Sequence, residues 1–124
     1  VTVLVDSDIL IEVTRGRNQD VIGRWRELKG ADNVVLYCAV TAAELWAGVL
    51  PHEREVLNKF FRTLLCAPID YEAGFLAGDY LRHYAKSHHL EIADALIAAV
   101  AVLIHAKLWT RNRKHYPMKQ LSFY

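Results

Sequence analysis

Little in this chain can cross-link it or break it. Two cysteines, three prolines and six glycines among 124 residues exclude a disulfide scaffold, a proline-rich linker and a glycine repeat. An excess of one charge is missing too: 15 Lys and Arg against 14 Asp and Glu give a net +1, so composition names no partner. The longest unbroken apolar run, Ala95 to Ile104, is too short to cross a bilayer, and the start has no basic region of a signal peptide. Cys38 and Cys66 both lie in apolar runs, "VVLYCAV" and "LLCAPI", where a reduced thiol packs as core. These absences predict a soluble cytoplasmic protein with no membrane contact.

What is present is a core. With 53% hydrophobic and 23% charged residues, a chain this long can bury about two thirds of its unfolded surface in one domain, residues 1–124. "VTVLV" reads as a buried strand ending at Asp6, followed by a helix. Residues 19–29 carry Val21, Ile22, Trp25 and Leu28 on one helical face and stop at Gly30. "NVVLYCAV" reads as strand two. Thr41 then opens "TAAELWAGVL", where Thr41 and Glu44 match a capping box, and Pro51 ends it. A helix over 52–65 follows, with Val56, Leu57, Phe60, Phe61, Leu64 and Leu65 at helical spacing. "CAPI" is strand three. Asp70 caps a long amphipathic helix, and 91–106 is a helix apolar nearly all round. "KLWT" is strand four, "RNRKHYPMKQ" a basic loop and "LSFY" an edge strand. Strands separated by helices predict an α/β fold, a three-layer α/β/α sandwich around a short parallel sheet.

Asp94 is the anomaly, a carboxylate among Ile92, Ala93, Ala95 and Leu96. Burial without donors or a cation is costly for such a group. In parallel α/β folds the working crevice lies beyond the carboxyl ends of the strands. Asp6 follows strand one, Glu44 lies one helical turn after strand two and Asn112 just follows strand four. Asp94, in the first turn of its helix, reaches the same edge. Like charges so placed need protons or metal ions, and hard oxygen donors without thiolate or paired imidazole select Mg2+ or Mn2+. Such an ion polarises a phosphoryl oxygen and lowers the pKa of bound water, as phosphodiester hydrolysis requires. Each residue also has a plainer reading: Asp6 as helix cap, Glu44 as capping-box partner, Asp94 as complement to a helix dipole, Asn112 as loop residue. Arg15, Arg17, Arg111, Arg113, Lys114, His115 and Lys119 flank the edge, either to bind a phosphate backbone or as solvated loop charge. The six histidines show no metal spacing, and Trp25, Trp46 and Trp109 read as core or interface aromatics.

In order, "LVDSDIL", "TAAELWAG", "EIADALIAA" and "LWTRNRKHYP" resemble the PIN-domain ribonucleases, in particular the VapC toxins of toxin–antitoxin pairs, over the whole chain. The resemblance implies a Mg2+- or Mn2+-dependent endoribonuclease with Asp6, Glu44 and Asp94 as acidic metal ligands and Asn112 at the fourth position. Thr110 matches a recurrent hydroxyl beside the site, and Ser7 a place often held by Thr. Some relatives carry another acid where His115 stands, which leaves one or two metals open. RNA as substrate, a small antitoxin whose tail enters the acidic groove, and a homodimer are implied as well. Two other readings compete. Asp6 and Asp8 in "DSD" resemble the start of a phosphatase or receiver domain, the latter with Asp70 as phospho-acceptor and Lys107 as its partner. A catalytically silent RNA-binding PIN module is the other.

Overall fold

The computed structural model describes residues 1–124 as four strands and six α-helices: β1 (Thr2–Val5), α1 (Ser7–Arg15), α2 (Gln19–Gly30), β2 (Val34–Cys38), α3 (Ala39–Gly48), α4 (Arg54–Arg62), β3 (Leu65–Ala67), α5 (Tyr71–His88), α6 (Ile92–Leu103) and β4 (Lys107–Trp109). Short 3-10 turns occupy Pro51–Glu53 and Arg113–His115. The sheet runs β3-β2-β1-β4 with every pair parallel. All carboxyl ends therefore lie along one edge, where Val5 pairs with Trp109 and Cys38 with Ala67.

Alternation along the strands builds two cores. Leu4, Leu36, Cys38 and Leu108 face α5 and α6, while Val3, Val5, Val35, Tyr37 and Trp109 face α1, α2 and α4. That is the period of two expected of a strand buried on both faces, and it gives the three layers anticipated from the sequence. Local chemistry sets the helix ends. Asn18 caps α2 on Val21 N at 3.1 Å, and Asp70 caps α5 on Ala73 N at 3.0 Å. The α1 helix stops at Gly16, whose φ of +68 closes a left-handed turn with its N–H on Glu12 O.

Several expectations shift. Helix α3 begins at Ala39 after Cys38, which offers no side-chain cap, so Thr41 is not a capping residue. Instead it is fully buried, and its Oγ1 lacks a partner. The expected helix over 52–65 divides into a 3-10 turn and α4, because Pro51 starts the turn and Leu65 has already entered β3. Cys66 is exposed, not core, since β3 is the sheet's outer strand. Val56 points outward at 71% exposure while Leu57 and Phe61 are buried. "LSFY" forms a single bridge, Leu108 to Phe123, not a strand. No helix is long and apolar enough to cross a membrane.

Candidate active site

Asp6 is the hub of the carboxyl edge. It follows β1 and continues the sheet through its N–H on Trp109 O at 2.9 Å, which fixes its backbone while leaving it 7% exposed. Its Oδ1 accepts from Ser7 N at 2.8 Å, and its Oδ2 from the hydroxyls of Thr110 at 2.9 Å and Tyr116 at 2.8 Å. Each of three hydroxyls also stands between Asp6 and one further acid. Ser7 Oγ lies 3.5 Å from Asp6 Oδ1 and 3.3 Å from Glu44 Oε1. Thr110 Oγ1 is 3.4 Å from Asp8 Oδ2, and Tyr116 Oη is 3.4 Å from Asp94 Oδ1. The bonds near 2.8 Å are full hydrogen bonds; those beyond 3.2 Å are loose. A hydroxyl owns one proton, so Thr110 and Tyr116 give theirs chiefly to Asp6 and make only long contacts with Asp8 and Asp94, while Ser7 Oγ lies nearer to Glu44 than to Asp6.

The electrostatics follow. Burial raises the Asp8 carboxyl above its usual range, helped by the charge of Asp6 and opposed by the N–H and the guanidinium of Arg111. Its Oδ2 accepts from Arg111 N at 2.9 Å, while its Oδ1 is buried without a partner. Burial raises Glu44, against the Ser7 hydroxyl, with Asp6, Asp94 and Glu91 adding repulsion. Asp94 is raised by burial and by Asp6, and held back by the Glu91 backbone, Tyr116 and the charge of His115. Burial and the two acids beside it lift the Tyr116 phenol far above its ordinary range, so it stays a neutral donor. No lysine or arginine forms an ion pair with Asp6, Asp8, Glu44 or Asp94.

Sequence reasoning places Asp6, Glu44, Asp94 and Asn112 at one edge, and the family resemblance adds Ser7 and Thr110; the structure brings Asp6, Glu44, Asp94, Ser7 and Thr110 together. Asn112 is at the edge by its backbone, with N–H on Thr110 Oγ1 at 3.1 Å, and its side chain is exposed. Arg111 is tied to Glu12 at 3.3 Å, and Arg113 reaches Tyr124 O at 3.0 Å and lies over Phe123. Lys114 is exposed without an ion pair. Tyr116 was missed, because a tyrosine in a basic loop carries no local signal of burial. In the sequence Asp8 has a place only in the rival motif "DSD", although its position two residues after Asp6 is a clue to the site. The receiver reading fails on placement. Asp70 serves as the α5 cap, and Lys107 opens β4 at the opposite end of the strand from Thr110.

The donor chemistry suits a hard divalent cation: carboxylate oxygens in no ion pair with lysine or arginine, beside Asp8, whose Oδ1 is buried and unsatisfied. As the side chains stand, no three histidine, cysteine or acidic residues form a cage able to hold an ion. Asp6, Asp94 and Glu44 are the residues whose carboxylates would hold such an ion.

Fold and site define a class: single α/β domains that gather acids and hydroxyls at the carboxyl edge of a short parallel sheet. The chain belongs to the PIN domain family, which matches residues 3–121. It is 34% identical over 118 residues to Ribonuclease VapC10 of Mycobacterium tuberculosis, covering 94% of this chain and 86% of that one. With Ribonuclease VapC1 of Methanocaldococcus jannaschii it shares 32% over 116 residues, covering 92% and 78%. In structure it resembles VapBC2 of Rickettsia felis, solved bound to a DNA fragment from its promoter, with TM-score 0.81 at 20% identity over 100% of this chain and 98% of that one; that likeness establishes the fold.

Proposed function

We propose that this PIN-domain protein is a Mg2+- or Mn2+-dependent endoribonuclease and the toxin of a VapBC-type pair. One observation carries the reading: acids linked through shared hydroxyls at the carboxyl edge, none of them in an ion pair with a basic side chain. Such a cluster is stable only with protons or a cation. Asp6, Asp94 and Glu44 are the residues that would hold the ion. Bound there, a divalent cation supplies polarisation of the phosphoryl oxygen and a water acidic enough to attack.

The chain's own groups do the rest. Ser7 and Thr110 keep Asp6 oriented, as hydroxyls beside a ligand carboxylate do. Asn112 presents an amide at the rim, Lys114 offers positive charge to the RNA backbone, and His115 a ring nitrogen beside it. Arg111 and Arg113 hold the rim loop in place through Glu12 and the 123–124 segment, and the exposed part of each guanidinium is left to meet the RNA backbone. The names of the similar proteins support ribonuclease activity, and the VapBC complexes support a small antitoxin partner; a homodimer is part of the same proposal. A groove of about 850 Å3 beside Glu44, lined by Ile11, Leu45, Val49, Val56 and Phe60 with Arg15 and Arg17 on its rim, has the apolar floor that a peptide segment of the antitoxin requires.

Purified protein should cut RNA with Mg2+ or Mn2+ and stop when chelator is added. Cleavage that persists in EDTA would overturn the metal mechanism.

A further inference from the structure

Tyr116 is 3% exposed and lies 22 residues from Asp94 and 110 from Asp6 along the chain, yet its phenol oxygen touches both carboxylates. The ring is packed in the core formed by α5, α6 and the sheet, beside Met118 and Leu121. Its backbone is held by Tyr116 N on Arg113 O at 2.9 Å. A buried tyrosine has only two side-chain torsions to lose, so its hydroxyl is a fixed point. Asp6 hangs from the end of β1 and Asp94 from the first turn of α6. Their shared contact is this oxygen, 2.8 Å from one and 3.4 Å from the other. Tyr116 is also the single side-chain hydrogen-bond partner that Asp94 has.

We infer that Tyr116 is a positioning residue, whose buried phenol sets the separation of Asp6 and Asp94 and so prepares the two carboxylates to receive one divalent cation. This inference rests on the metal-dependent reading above. The hydroxyl and that of Thr110 both donate to Asp6 Oδ2, and Ser7 N donates to Oδ1, so the carboxylate is held in one orientation with a lone pair of Oδ1 left for an ion. It does for a carboxylate what partners behind a metal-bound histidine do, orienting the ligand before the ion arrives. Thr110 shares the task at Asp6 but does not reach Asp94, so it cannot couple the two.

Tyr116→Phe removes one oxygen and preserves the ring. Thermal melts across a Mn2+ titration, with inorganic Mn2+ alone as probe, separate the possibilities. We expect the metal-free Tm to fall by a few degrees and the Mn2+ concentration giving half the stabilisation to rise about 10-fold or more. Tyr80→Phe, which deletes a buried phenol bonded to Gln120 in the same core, should leave that midpoint unchanged. A Tyr116→Phe midpoint equal to wild type would make Tyr116 a core aromatic and overturn the inference. A lower midpoint would show the phenol competing with the ion and overturn it equally. Wild type without any Mn2+-linked shift would instead overturn the metal reading and this inference together.

Discussion

Asp94 differs from most acids at helix starts in what surrounds it. Ordinarily an Asp in the first turn of a helix stabilises by roughly 0.3–1 kcal/mol through the helix dipole. Here burial and Asp6 work against its charge. Asp94→Asn keeps the shape and removes that charge, so the metal-free protein should melt at an equal or higher temperature, while stabilisation by Mn2+ and RNA cleavage both fall. Lower metal-free stability with full cleavage would reduce Asp94 to a dipole partner. The same groups set a pH dependence. Asp8, Glu44 and Asp94 have folded pKa values raised above their unfolded ones, so the folded chain binds protons more tightly than the unfolded one. Their contribution is fully present below the unfolded values, about 4, and is lost as pH rises through the folded values. Metal-free melts from acid to neutral pH should therefore show a decline that is smaller in Asp94→Asn than in wild type. Equal declines would refute the assignment. Cys38 follows the same physics: burial pushes its thiol up to about 12, so it stays an inert core group.

Among the elements, α4 shows how a helix can serve the core and a surface at once. Leu57 and Phe61 pack under the sheet, while Val56 lies on the wall of the groove at 71% exposure. Val56→Asp should leave the melting temperature within about 0.5 kcal/mol equivalent of wild type, as surface substitutions do, yet weaken a co-expressed antitoxin by at least about tenfold, because a desolvated carboxylate would face the partner's apolar segment. Native titration of the purified pair measures it, and unaltered affinity would place the antitoxin elsewhere. The helices were also where sequence reading was most and least successful. The faces of α2, α5 and α6 were legible because the 3.6-residue repeat runs long enough to outweigh local noise. The start of α3 was not, since "TAAE" satisfies a capping pattern that the chain passes over when Thr41 is drawn into the core. A short-range motif yields to burial when the two compete.

Over the whole molecule, two cores meet at a sheet that is only four strands wide. Trp109 anchors one of them, stacked on Trp25, edge-on to Tyr124 and under the Arg24 guanidinium at 4.9 Å. Trp109→Ala should lose roughly 3–5 kcal/mol in urea unfolding, the range for deleting a buried aromatic; a loss below about 1 kcal/mol would mean that the neighbouring rings close the gap. Such a loss would also loosen Thr110, which follows Trp109 directly and holds Asp6. Layer order, the parallel sheet and the placement of Asp6, Glu44 and Asp94 at one edge were determined by the sequence itself, because strand–helix alternation and the carboxyl-end rule depend on patterns within short stretches. Only the tertiary structure decided which hydroxyl stands between which acids, that Cys66 lies outside and that Tyr116 enters the centre. Those outcomes come from contacts between residues as far as 110 positions apart, and a single chain read in order has no local signal for the distance at which two distant side chains will stop.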